Sequence, residues 1–271
     1  MARFTVIPAL ALALSSAAGA QGILLRLNPR VGDTLHTRLE QQTEVTGTRN
    51  GGPPMKAVTT SVVLSSRTIV HQSLQASTVV LTIVDSADIR SSDARASQQV
   101  ADAERSMRGQ RMIMRLASDG TVVSARDARG GTLSGELAQS MSSMPAVFPQ
   151  QPVSVGEQWM REMPLPAGGP LGTRGAGKVI AAFRLDSVSR NGSIAYVSMQ
   201  GDIRPDAASQ GMQLSGGVQG SMQIDRARGW LTDSRFSITM RSLVTPSPST
   251  GLAPMRFVTR VVQRLSTMDK R

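Results

Sequence analysis

The chain has 271 residues, 40% of them hydrophobic, which is ample for a sizeable core. It contains no cysteine, which excludes disulfides, thiol chemistry, cysteine metal sites and a lipid-modified N-terminal cysteine. The net charge of +11 is almost all arginine, and it points to acidic partners; but the arginines are scattered and only two Trp, one Tyr and five Phe are available for stacking, which argues against nucleic acid.

Residues 1–20 begin with Arg3, continue through the apolar run Thr5 to Leu14 and end in Ala18-Gly19-Ala20. That pattern predicts a signal peptide cleaved before Gln21, and the run is too short for a membrane span. The mature chain is expected to be exported, to the periplasm or beyond, and not membrane-spanning. In that compartment an anionic envelope surface fits the charge, although arginine on solvated strand faces explains it equally.

Strand character then dominates. Ile23 to Leu27, Thr34 to Val45, Ala57 to Leu74 and Ser77 to Ile89 are rich in Val, Thr, Ile and Leu with period-two stretches, and Asn50-Gly51-Gly52-Pro53-Pro54 reads as a hairpin loop. Ser92 or Asp93 can cap a helix with Ala96, Val100, Ala103 and Met107 on one stripe and Gly109 as its stop. Gln110 to Ser118 and Thr121 to Arg126 form a hairpin about Asp119-Gly120. A second helix is expected from Leu133 to Met144, ended by Pro145.

Pro164 to Gly177 is too rich in glycine and proline for regular structure. Val179, Ala181, Phe183 and Leu185 alternate, and Asn191-Gly192 turns the chain into a strand bearing Ala195, Val197 and Met199. After a polar stretch, Asp206 to Gly217, come Gly220 to Asp225, a turn ending at Gly229, and Trp230 to Val244. The last strand sets Met255, Phe257 and Val261 against Arg256, Arg260 and Arg264.

The chain carries an internal repeat. Pro29-Arg30-Val31-Gly32-Asp33-Thr34-Leu35 and Pro152-Val153-Ser154-Val155-Gly156-Glu157-Gln158-Trp159 share a form, a glycine-acid turn feeding a strand. Asp88-Ile89 and the Asp119-Gly120 turn follow the first; Asp202-Ile203 and the turn ending at Gly229 follow the second. The reading is a mainly β (α+β) protein. It has one large curved antiparallel sheet or half-barrel, built from halves 21–147 and 148–271 in one domain, with two short helices on the concave face.

The phrase Phe148-Pro149 through Trp159, with Gly220-Ser221-Met222-Gln223-Ile224-Asp225 to Gly229-Trp230, resembles bacterial exported proteins of unknown function. These are built like the lipoprotein-localisation carriers and the mycobacterial lipid-binding lipoproteins. The resemblance implies an unclosed β-barrel able to hold acyl chains. Lacking cysteine, this chain departs from the lipid-anchored members.

Catalytic signals are sparse. The only histidines, His36 and His71, sit in no motif, no Gly-x-Ser-x-Gly elbow occurs, and carboxylates and aromatic platforms are too few for a glycosidase. The glycines of 168–177 lack the lysine of a phosphate loop, and no metal or cofactor is expected. What stands out is methionine, fifteen in all. Met112, Met114, Met141, Met144, Met199, Met222 and Met240 form an adaptable apolar lining, joined by Leu137, Phe183 and Phe236. These ten are the candidate ligand-binding residues for a lipid or other amphiphile; core packing explains them as well. A partner-binding structural protein of the envelope, or an unrecognised hydrolase, are the alternatives.

Overall fold

The computed structural model describes residues 22–49, 52–130, 147–165, 177–205, 212–245 and 253–268. Its strands are β1 (Thr34–Arg49), β2 (Val58–Ser73), β3 (Ser77–Ser91), β4 (Arg111–Ala117), β5 (Val122–Asp127), β6 (Gln158–Pro164), β7 (Gly177–Val188), β8 (Ile194–Pro205), β9 (Met212–Asp225), β10 (Trp230–Val244) and β11 (Met255–Thr267). All eleven join one antiparallel sheet in the order β5-β4-β3-β2-β1-β11-β10-β9-β8-β7-β6. Each half is a simple meander, and the seam between them is β1 against β11, from Thr37↔Thr267 to Arg49↔Met255. The edges are therefore β5 and β6.

Those edges lie close together in space. Val147 and Phe148 donate their N–H groups to the Asp119 carbonyl in the β4–β5 turn, both at 3.2 Å, while the Trp159 indole on β6 donates to the Val147 carbonyl at 3.0 Å. One dipeptide thus touches both ends of an eleven-strand sheet, which requires the sheet to curl, as strand twist favours.

The internal repeat is visible atom by atom. Gly32 and Gly156 both have φ of 88°, a region that side chains avoid. In each turn the acid closes the loop: Arg30 N–H donates to Asp33 Oδ2 at 2.9 Å, and Ser154 N–H to Glu157 Oε2 at 2.8 Å. Each turn then docks on the next strand through a reciprocal pair. Gly32 and Asp33 bond to Val70, and Gly156 and Glu157 bond to Leu185.

The predicted helix appears as a 3₁₀ turn, Ala94–Ala96, running into α1 (Ser97–Met107). Asp93 caps the turn, accepting from Arg95 N–H at 3.1 Å. The stripe Ala96, Val100, Ala103, Met107 is half-buried, as is Glu104 beside it, and α1 packs against β3, with the Arg108 guanidinium donating to the Ala87 carbonyl. The second expected helix, Leu133 to Met144, lies outside the described residues.

Two sequence expectations are corrected. Ile23 to Leu27 alternates like a strand, with Leu25 and Leu27 buried and Leu24 exposed, yet among the described residues it makes only an isolated bridge and pairs with no strand. It crosses the strand ends as a strap, bonding in turn to Val153, to the Ser118 carbonyl (2.8 Å) and, through Asn28, to the Arg228 carbonyl (2.8 Å). Extended conformation sets the period; pairing needs a neighbour that this segment lacks. The other concerns β9, which begins at Met212, within the polar stretch set apart from the strand at Gly220 to Asp225. Glycine is used there for close approach: a Cβ on Gly220 would stand 2.3 Å from the Phe236 ring.

Candidate functional site

Strand register divides the sheet into two chemically distinct faces. On the core face, Val179, Ala181, Phe183 and Leu185 of β7 align with Ile203, Gly201, Met199 and Val197 of β8, and these with Gly216, Val218, Gly220 and Met222 of β9. Their non-glycine side chains are buried, and Phe183 stacks on Trp159 with centroids 5.6 Å apart and planes 13° from parallel. Leu25, Leu27, Phe148 and Val153 close this cluster from above. Among the described residues the cover here is extended chain.

Along β11, β1 and β2 the same face is packed differently. Leu39, Val45, Val62, Leu64, Val261 and Leu265 project to the core side by register, yet all are only half-buried. Gln41, Thr43, Thr60 and Gln263 stand among them, and Thr37 Oγ1 lies 2.8 Å from Ser66 Oγ. The result is a trough of mixed character, apolar with a row of hydroxyls and amides.

Three polar atoms on this face are buried without a protein partner among the described residues: Ser234 Oγ, Thr259 Oγ1 and Arg161 Nε. Thr259 pairs with Val45 and Met240 in the trough wall. Arg161, on β6, shares a face with Trp159 and Met163, and its Nη2 donates to the Phe148 carbonyl. A buried hydroxyl or guanidinium N–H left unpaired is costly, so such atoms mark places where a polar ligand group would be rewarded.

The sequence-predicted lining divides accordingly. Phe183, Met199, Met222 and Met240 are core residues of one cluster, with Met114 and Phe236 packed against its margin. Met112 is buried on β4, opposite Asp127. Leu137, Met141 and Met144 fall outside the described residues. Sequence reasoning missed Arg161 and the Gln-Thr row of the trough. Arg161 is two residues from Trp159 in an alternating strand, and that parity was the available signal.

Arg161 lies on the core side of the sheet, but six strand arginines point the other way. Arg38, Arg235, Arg241, Arg256, Arg260 and Arg264 lie on the opposite face of β1, β10 and β11, because they occupy the alternate parity to the core residues. There Arg38 holds the Glu40 carboxyl below the usual range by a 2.7 Å hydrogen bond. Arg90 does the same for Asp88, and Arg95 for Asp93. His36 lies on this outer face beside Arg67, while His71 sits in a β2 bulge; no acid joins either in an ion pair among the described residues. No group of three or more His, Asp or Glu suited to a metal occurs among them.

Residues 133–231 match DUF6263, a family of unknown function. The match spans the junction of the two halves, including the second glycine-acid turn and the strands to β9. Among curated proteins no sequence relative is found. Solved structures give weak likenesses. The outer membrane protein OprG from Pseudomonas aeruginosa is 8% identical, with 89% of this chain and 98% of that chain covered and a TM-score of 0.23. DynF from the dynemicin biosynthesis pathway of Micromonospora chersina is 10% identical, with 98% and 94% covered and a TM-score of 0.24. The toluene transporter TodX of Pseudomonas putida is 7% identical, with 91% and 96% covered and a TM-score of 0.20. Scores this low carry no argument about architecture or role.

Proposed function

We propose that this chain is an exported, non-catalytic β protein that binds a hydrophobic or amphiphilic ligand in the trough over β11, β1 and β2. The observation that carries the reading is the uneven packing of one face. Equivalent positions are sealed on β7 to β9, while Leu39, Val45, Val62, Leu64, Val261 and Leu265 stay half-buried. A half-buried face that mixes aliphatic side chains with hydroxyls and amides offers an amphiphile contacts for both of its parts. The Gln41-Thr43 and Gln263 row, with the unpartnered Thr259 hydroxyl, would receive a ligand's polar end.

Export is supported by the leader-like residues 1–20. A soluble rather than membrane-embedded state is supported by the outer face, where Arg38, Glu40, Glu44, Arg260 and Arg264 stand in mid-strand. Lipid-facing barrels carry an apolar band in that position. The carrier-like resemblance, an unclosed barrel holding acyl chains, agrees with this reading.

Native mass spectrometry of the mature protein from its host, followed by solvent extraction, tests it. A stoichiometric co-purifying lipid is the expected result. A clean apo mass that stays unchanged on adding neutral and anionic lipids would sink the proposal and favour a partner-binding role for the charged outer face.

A further inference from the structure

The face turned away from the core carries a second concavity, near β5 at one end of the strand order. It is a groove of about 360 Å³ lined by His71, Gln72, Val79, Ile113, Arg115, Ser124 and Arg126. Register builds it row by row. Gln72, Val79, Arg115 and Ser124 lie side by side across β2, β3, β4 and β5, and Ile113 with Arg126 forms the next row. The bulge between Val70 and Gln72 leaves His71 out of the ladder at one wall, while β5, an edge strand, leaves the other wall open.

The floor is apolar, Val79 and Ile113; the rim is cationic. Among the described residues no carboxylate lines the groove. The two acids of this hairpin are engaged in turns, Asp119 Oδ1 accepting from Thr121 and Asp127 Oδ1 from Arg129 N–H. Neither Arg115 nor Arg126 takes part in an ion pair among the described residues. Arg115 is also pre-oriented. Its Nε donates to Ser77 Oγ at 3.0 Å, and Ser77 is itself buried, so the guanidinium is held by its stem with the Nη groups available.

We infer that this groove is a binding site for an organic anion, a phosphate or carboxylate joined to a short apolar body. The oxyanion lies between Arg115 and Arg126, and the apolar body rests on Val79 and Ile113. Guanidinium groups suit this because their planar fork matches oxyanions, and a 360 Å³ concavity is within the range of small-ligand sites. His71 and Ser124 supply further hydrogen-bonding groups at the two walls. The site is separate from the trough, since the two lie on opposite faces of the sheet.

The test is calorimetric titration of the mature protein with octyl phosphate, with inorganic phosphate and octyl glucoside as partial probes. One salt-sensitive octyl phosphate per chain is expected in the groove, counted apart from any uptake by the trough, which octyl glucoside would share and added salt would not weaken. Arg115→Gln with Arg126→Gln should lower affinity about ten- to a hundredfold, the scale of a lost charge-assisted hydrogen bond. Ser124→Glu, on the exposed edge strand opposite Arg115, keeps both arginines and should abolish binding by placing a carboxylate in the groove. Arg235→Gln, on the outer face of β10, should leave affinity unchanged.

Equal binding by wild type and Ser124→Glu would overturn the site, as would no binding by wild type. Equal affinity for inorganic phosphate and octyl phosphate would overturn the role given to the apolar floor. A groove that fails these tests leaves the trough untouched, because none of the substituted side chains faces it.

Discussion

Gly229 can report whether the N-terminal strap seats the core. It lies in the β9–β10 turn with φ of 68°, and a Cβ there would stand 1.8 Å from the Arg26 carbonyl oxygen and 2.7 Å from Leu27 Cα. Gly32 is the matched control, with φ of 88° and nothing within 4 Å of its Cβ position. Both alanine variants bear the left-handed backbone cost of about 1–2 kcal/mol. Only Gly229→Ala must also displace the strap, which is main chain and cannot yield as a flexible side chain would. If Leu25 and Leu27, 1% and 8% exposed, both lose their burial, the further loss is about 3–6 kcal/mol. Urea unfolding of the two variants measures the difference, and trypsin cleavage after Arg26 should accelerate in Gly229→Ala alone. Equal destabilisation with equal proteolysis would refute the placement of the strap.

Phe183→Ala should cost about 3–5 kcal/mol, since the ring is 1% exposed in the centre of the cluster, and Trp159 emission should shift to the red as its stacking partner is lost. Thr259→Val should stabilise lipid-free protein by about 1 kcal/mol in melting experiments, because it removes a buried hydroxyl without a protein partner among the described residues while keeping the shape. The same variant should retain less of any co-purifying ligand. Glu40, Asp88 and Asp93 have folded pKa values below their ordinary values of 4.5, 3.8 and 3.8. The stability they add is complete above those values and drains as pH falls through the lowered folded ones. Melting temperature followed from neutral pH into acid should therefore fall less steeply in a Glu40→Gln, Asp88→Asn, Asp93→Asn variant.

The meander, the hairpins at Asp119-Gly120 and Asn191-Gly192, the capped helix and the twin turns were legible because each rests on local chemistry. Gly32 and Gly156 adopt a backbone that few residues tolerate, and the acid that follows each has one turn to close. Face assignment was also legible: Phe236, Ile238 and Met240 lie together because alternation survives wherever no bulge intervenes. What escaped depended on partners distant in sequence. Nothing local distinguishes Ile23 to Leu27 from a strand, since its carbonyl partners come from residues 118, 153 and 228. Alternation marks an inward face on β1 and β2 as it does on β7 to β9, and the Gln41, Thr43 and Thr60 that interrupt the aliphatic side chains of the former were the local sign that it is less sealed. The outward placement of the arginines on β1, β10 and β11 followed from parity.

The seam at β1 and β11 constrains how the chain can fold. Strands β1 to β5 can zip by successive hairpins, and so can β6 to β10, with every pairing between neighbours in sequence. The remaining pairing joins Thr37 to Thr267, so the two meanders become one sheet only after the last strand exists. Such long-range closure is slow because its loop entropy precedes any reward. Until it happens, β1 and β10 each present an unsatisfied edge of fifteen or sixteen residues, the form of surface on which chains pair wrongly. Truncating β11 should therefore yield a species that aggregates although ten of eleven strands remain, and synthesis from the N-terminus leaves the half-sheet exposed until its final residues emerge.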